Sequence, residues 1–168
     1  NQDGSKNPHD EIDDPLKSAE VLQAHVDEGL KFARKNRLPK PIANFIPEHQ
    51  GTLKMGYFLH KAEEKKINFN ESDFRYKGPI PQSKETAILM LADGCEAALR
   101  AMDINASDFE AIETISKIIS SRQLDGQLDD SNLSKGEIFL IKKSFLNVWK
   151  RIRHRRIQYP TTKNNTFS

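Results

Sequence analysis

The chain has 168 residues, 36% of them hydrophobic and 30% charged, with a formal net charge of +2. That length holds one domain with a sizeable core and excludes two ordinary ones, and so even a charge balance gives no ground for nucleic acid as a partner. A single cysteine, Cys95, excludes an internal disulfide and fits a reducing compartment, and no stretch has the apolar length of a membrane span or the layout of a signal peptide.

Residues 1–14, NQDGSKNPHDEIDD, read as a loop entering the domain. The chain does not begin with Met, which points to a piece of a longer protein. Asp14-Pro15 is a helix start, a capping side chain followed by proline at the first helical position. The helix is predicted to run to about Asn36, with Leu22, Val26, Gly29 or Leu30, and Ala33 as its apolar stripe and His25 at the edge of it. Leu38-Pro39-Lys40-Pro41 breaks the chain. A short helix follows over about 41–50, placing Ile42, Phe45 or Ile46, and His49 inward, with Pro47 bending or interrupting it. Gly51-Thr52 marks a turn. A third helix spans Leu53 to Lys66, with Leu53, Tyr57 and Phe58 inward.

Residues 67–82 have no helical period and contain Gly78, Pro79 and Pro81. A loop of this length inside a compact domain is more often functional or mobile than idle. Ser83 then caps a helix with Glu85 in its first turn. Its centre, AILMLADGCEAALRAM from Ala87 to Met102, reads as a buried helix with Met90, Gly94, Ala97 and Ala101 on a small apolar face. Asp93 sits beside that face. A buried carboxylate needs a partner, because leaving it unpaired costs several kcal/mol, so a metal, an arginine or a cluster of backbone N–H groups is expected to meet it.

Ser107-Asp108 opens another helix, with Phe109, Ile112, Ile115 and Ile119 as its core stripe. QLDGQLDDSN, residues 123–132, is an acidic loop that fails the calcium template: Asp130 stands where the EF-hand glycine belongs. Ser134 and Glu137 form a capping box before a long last helix, striped by Ile138, Ile141, Phe145, Val148 and Ile152. Tyr159-Pro160 ends it, and residues 161–168 read as a disordered tail. With no convincing strand alternation, the expected fold is all-α: a helical domain over 15–160, with five or six helices and one long internal loop.

His25, His49 and Asp93 thus stand inward on separate helices. Two imidazoles and a carboxylate suit divalent Fe, Mn, Co or Zn; individually, each also fits an ordinary hydrogen-bonded core residue. His9, His60 and His154 fall on a loop, an amphipathic surface and a basic run, and read as solvated. The basic run Lys150, Arg151, Arg153, His154, Arg155, Arg156 belongs to the end of a helix, where the dipole favours cations. Lacking interleaved aromatics, it gives no case for DNA or RNA.

The run ESDFRYKGPIPQSKETAILMLADGCEAALRA, the earlier NPHD, AHVDEGLKFA and EHQGT, and the closing LDDSNLS with HRRIQYP resemble one known family. It is the HD phosphohydrolase domain of the seven-transmembrane HD family: membrane-anchored bacterial phosphodiesterases that hydrolyse cyclic di-AMP to linear pApA. The wording is most similar to cyanobacterial members. The resemblance implies a cytoplasmic domain of an inner-membrane protein, acting on a cyclic dinucleotide, with a two-metal centre of Fe or Mn. Its ligand pattern is H, HD, H, HH, D. Position by position, the resemblance places His25 at the third element, His49 at the first histidine of the pair, and Asp93 at the last. The H and HD elements belong upstream of His25, and the chain starts too late to contain them; His9-Asp10 matches a later loop of the family. Gln50 stands where the pair expects a second histidine, a poor ligand beside imidazole. Lys84, and more weakly Arg75, are candidates to neutralise phosphate oxygens. The resemblance therefore implies part of a metal-dependent cyclic-dinucleotide phosphodiesterase, inactive as this piece alone. The competing reading is a degenerate, non-catalytic sensor or interaction module of a membrane protein.

Overall fold

The structure is a computed structural model that describes residues 13–156. The expected last turn at Tyr159-Pro160, the tail and His9 lie outside the described residues, as does the side chain of His154. The fold is helical. Among the described residues the one β-like feature is an isolated antiparallel bridge between Lys54 and Arg75, and no helix is long and apolar enough to cross a membrane.

Helix α1 spans Pro15–Lys35. Asp14 caps it as its sequence suggests: the extended residue accepts at Oδ1 from the Leu16 and Lys17 backbone N–H groups, at 3.0 and 3.3 Å. Two single-turn helices follow, α2 over Lys40–Ala43 and α3 over Phe45–Glu48. The break falls at Asn44, ahead of Pro47 rather than at it. Pro47 sits in the first turn of α3, where a backbone N–H has no intrahelical acceptor, so the N–H that proline lacks is not missed there. Helix α4 is Gly56–Glu64, and a single 3-10 turn, Glu71–Phe74, punctuates the long loop. Then come α5 (Lys84–Arg100), α6 (Asp108–Leu124) and α7 (Lys135–Arg156). The capping boxes at Ser83 and Ser107 form as residues of that type allow.

Two hydrophobic clusters hold these elements. One joins Ala87, Met90, Leu91 and Cys95 of α5 to Ile115 and Ile119 of α6 and Ile138 and Ile141 of α7, with Leu128 from the loop between. The other packs Ala19 of α1 against Met55, Phe58 and Ala62 around α4, and against Phe74 of the 3-10 turn. Helix α3 touches both α1 and α5. It therefore sits where the clusters meet, and His49 is its C-terminal cap.

The buried faces are rotated from the expected stripes in places. On α5 the burying side chains are Ala87, Met90, Leu91 and Cys95, leaving Ala97 and Ala101 exposed. Leu91 has far more apolar area to remove from water than Ala97 or Ala101, and that area decides which face turns inward. On α6, Ala111 is fully buried while Phe109 is 70% exposed. Tyr57, Val148 and Ile152 are likewise exposed rather than buried.

The start of α7 carries a pH-dependent contact. Glu137 accepts from Lys84 Nζ at 2.6 Å, and from the Ser134 backbone N–H and Oγ at 2.8 and 2.7 Å. Lys84 first, then the Ser134 bonds, pull the Glu137 carboxyl down from 4.5 to about 2. A depressed carboxylate contributes stability above its ordinary value and loses it as pH falls toward the folded-state value. The stability gap between wild type and Glu137→Gln is therefore expected to be constant above about pH 5 and to close by about pH 2. Thermal unfolding across that range checks it; a gap that ignores pH would assign the effect to shape rather than charge.

Candidate functional site

His49 is oriented by its own helix. Its Nδ1 lies 2.7 Å from the Ile46 carbonyl oxygen and 3.1 Å from that of Phe45. Carbonyls only accept, so Nδ1 carries the proton and Nε2 is left as the acceptor. A metal-binding imidazole is oriented the same way, its non-ligating N–H donating to a carbonyl. Here Nε2 accepts instead from the side-chain amide of Gln50, at 3.1 Å. The His25 ring approaches from α1, its centroid 6.0 Å from that of His49 and tilted by 59°. His25 is exposed and hydrogen-bonds no described residue, so both its nitrogens are open to a ligand. Tyr76 stands edge-on to His25 on the other side, also at 6.0 Å.

Asp93 is not buried, contrary to the reading of α5. It is exposed, because Met90 and Leu91 take the inward positions around it. The desolvation argument for an obligatory partner therefore falls away. Among the described residues Asp93 makes no salt bridge and no hydrogen bond, and its charge acts on the Arg122 guanidinium and the Tyr76 phenol. Burial chiefly, and then the charge of the nearby Asp93, push the Tyr76 phenol up.

These residues do not close a metal site by themselves. Among the described residues no group of three His, Cys, Asp or Glu side chains gathers closely enough to hold an ion. His25 and His49 converge as a pair, and Gln50 donates into the nitrogen that an ion would take.

No protein-family model matches the chain. Over 165 residues it is 46% identical to the uncharacterised protein slr0104 of Synechocystis sp., an alignment covering 95% of the chain and 20% of that protein. It is 36% identical over 158 residues to the cyclic-di-AMP phosphodiesterase PgpH of Listeria monocytogenes, covering 94% and 22%. The chain thus spans about a fifth of the length of the curated relatives it matches. Its fold superposes on the crystal structure of the Listeria PgpH HD domain in complex with cyclic di-AMP with a TM-score of 0.84, at 34% identity, over 90% of this chain and 70% of that one.

The chain belongs to the HD-domain family of PgpH-type phosphodiesterases.

Within this HD domain, three polar residues support the His49 turn. Glu48 is 2% exposed, and its Oε2 accepts from the Gln82 backbone N–H at 2.9 Å and from Thr86 Oγ1 at 2.7 Å. It thereby ties α3 to the start of the Asp93 helix. Gln127 is fully buried: Oε1 accepts from the Thr52 N–H at 3.0 Å, while Nε2 donates to Thr52 Oγ1 at 2.8 Å and to Asp125 at 2.9 Å. Arg75 donates to the Thr52 carbonyl at 3.0 Å and ion-pairs with Asp125 and Glu71, both at 3.2 Å. These partners make Arg75 a tether of the long loop, and Lys84 is likewise engaged by Glu137. Neither Glu48 nor Gln127 was legible in the sequence, since a buried Glu on a four-residue helix leaves no periodic signal. His60 reads as expected, exposed beside Glu63 and Glu64.

Proposed function

We propose that this HD domain is part of a metal-dependent phosphodiesterase that hydrolyses a cyclic dinucleotide, cyclic di-AMP to linear pApA, within a longer membrane-anchored protein. In this reading the domain is cytoplasmic and takes no DNA or RNA. His25, His49 and Asp93 contribute part of the ligand set for a divalent ion, Fe or Mn; the H and HD elements of the family pattern supply the remainder in the full-length protein. What such an ion supplies when bound is a polarised water and a clamp on phosphate oxygens.

The chain's own residues prepare for that. The carbonyls of Phe45 and Ile46 fix the His49 tautomer. Glu48 holds His49 in place relative to α5. Lys84, released from Glu137, is a candidate to neutralise a phosphate oxygen. The observation that supports the reading best is the pairing of His25 with His49 in a fold that matches an HD domain solved with cyclic di-AMP. Purified full-length protein with cyclic di-AMP and excess Mn or Fe is expected to release pApA. No product with either metal would overturn the reading.

The bond from Gln50 to His49 favours a second reading, a non-catalytic sensor, because it occupies the nitrogen that an ion would use. Gln50→His separates the two. In the full-length enzyme it is expected to raise bound metal per chain and to increase kcat/KM by about tenfold, the lower end of what partners of a metal site contribute. Elemental analysis beside kinetics checks this; a wild type already holding two ions, with no gain in the variant, would sink it.

A further inference from the structure

Tyr76 borders the His25–His49 pair, and the ligand pattern gives it no role. Its backbone is fixed from both sides: its N–H donates to the Leu53 carbonyl at 3.1 Å, and Gln23 Nε2 donates to the adjoining Arg75 carbonyl at 2.8 Å. The ring packs on the α1–α4 core and stands at 78° to His25. Its side chain is therefore held by packing. Its hydroxyl is not: among the described residues it has no hydrogen-bond partner. Nor is it among the buried polar atoms left without one, which are Ser18 Oγ and Arg122 Nε, so the oxygen reaches solvent.

A phenol O–H can donate, and a ring already immobilised loses little entropy when it does so. Phosphodiester oxygens are anionic acceptors, and the neighbouring carboxylate of Asp93 offers them none of the donors they need. We propose that Tyr76 is a substrate-contacting residue whose hydroxyl donates to a non-bridging phosphate oxygen of a cyclic dinucleotide seated at His25 and His49. This inference rests on the phosphodiesterase reading above.

Tyr76→Phe removes the oxygen and keeps the ring against His25. The test is filter binding of labelled cyclic di-AMP to full-length protein with Mn in the cold, alongside thermal unfolding. The variant is expected to bind about tenfold more weakly, the effect of one hydrogen bond to a charged group. Its unfolding temperature is expected to match wild type, since the hydroxyl has no internal partner. A structural role would instead lower the unfolding temperature and leave binding per folded molecule unchanged. Affinity within about twofold of wild type, below the loss of even a weak hydrogen bond to a charged group, would overturn the assignment alone. Absence of binding by the wild type would overturn the phosphodiesterase reading and this inference with it.

Discussion

His49→Ala in the full-length protein is expected to lower kcat/KM for cyclic di-AMP by about a hundredfold or more, since even outer partners of a metal site cost ten- to a hundredfold. The imidazole is held in one tautomer by the carbonyls of Ile46 and Phe45, so Nε2 is the atom left to act as a ligand. Alanine removes that atom and nothing replaces it, because Gln50 offers only an amide at the same place. The structural cost is small by comparison. His49 is half-buried at the end of a four-residue helix, and its ring bonds only to that helix and to the neighbouring Gln50 side chain, each bond worth about 1 kcal/mol. The variant is therefore expected to stay folded by circular dichroism while both metal content and turnover fall. Turnover within threefold of wild type would mean that the ligand assignment is wrong.

The elements were legible because their boundaries are local chemistry. Asp14-Pro15, Ser83, Ser107 and the Ser134–Glu137 box each satisfy orphan N–H groups with side chains from the same few residues, so pattern and structure agree there. Which face of a helix turns inward depends instead on what packs against it. Periodicity gave α5 and α6 roughly the right stripe and then misplaced Ala97, Ala101 and Phe109, since the partner's shape is not written in the helix's own sequence. The site divides the same way. The His25 and His49 rings come within 6.0 Å of each other, but His25 is exposed on α1 rather than inward as its place beside the apolar stripe suggested. The exposure of Asp93 was missed because an Asp beside Met90 and Gly94 reads as buried until Leu91 and Cys95 are seen to take the core. The supports, Glu48 and Gln127, act across separations of 34 and 75 residues and have no local signature at all.

Gly51→Ala is expected to destabilise the fold by about 2–5 kcal/mol, summing the left-handed backbone penalty and overpacking. Gly51 adopts φ +53°, where a side chain is disfavoured whatever the space around it. The space is also taken: a Cβ there would lie 2.5 Å from Gln127 Oε1 and 2.6 Å from Met90 Cε. The methionine end is flexible and can give way. Gln127 has no such freedom, because moving Oε1 breaks the 3.0 Å bond from the Thr52 N–H and drags the bonds to Thr52 Oγ1 and Asp125 with it. A buried amide left unpaired then adds its own cost. The loss is a large share of the ~5–15 kcal/mol that holds a domain together, and it falls on the turn that follows His49 and Gln50. Gly56→Ala supplies the control. A Cβ at that position meets nothing within 4 Å, and it sits at the start of α4, so it is expected to be neutral or to stabilise by roughly 0.5–1 kcal/mol. Urea unfolding followed by circular dichroism compares the two. If Gly51→Ala unfolds at the same urea concentration as Gly56→Ala, the wedge formed by Gly51, Gln127 and Thr52 is not what fixes the His49 turn.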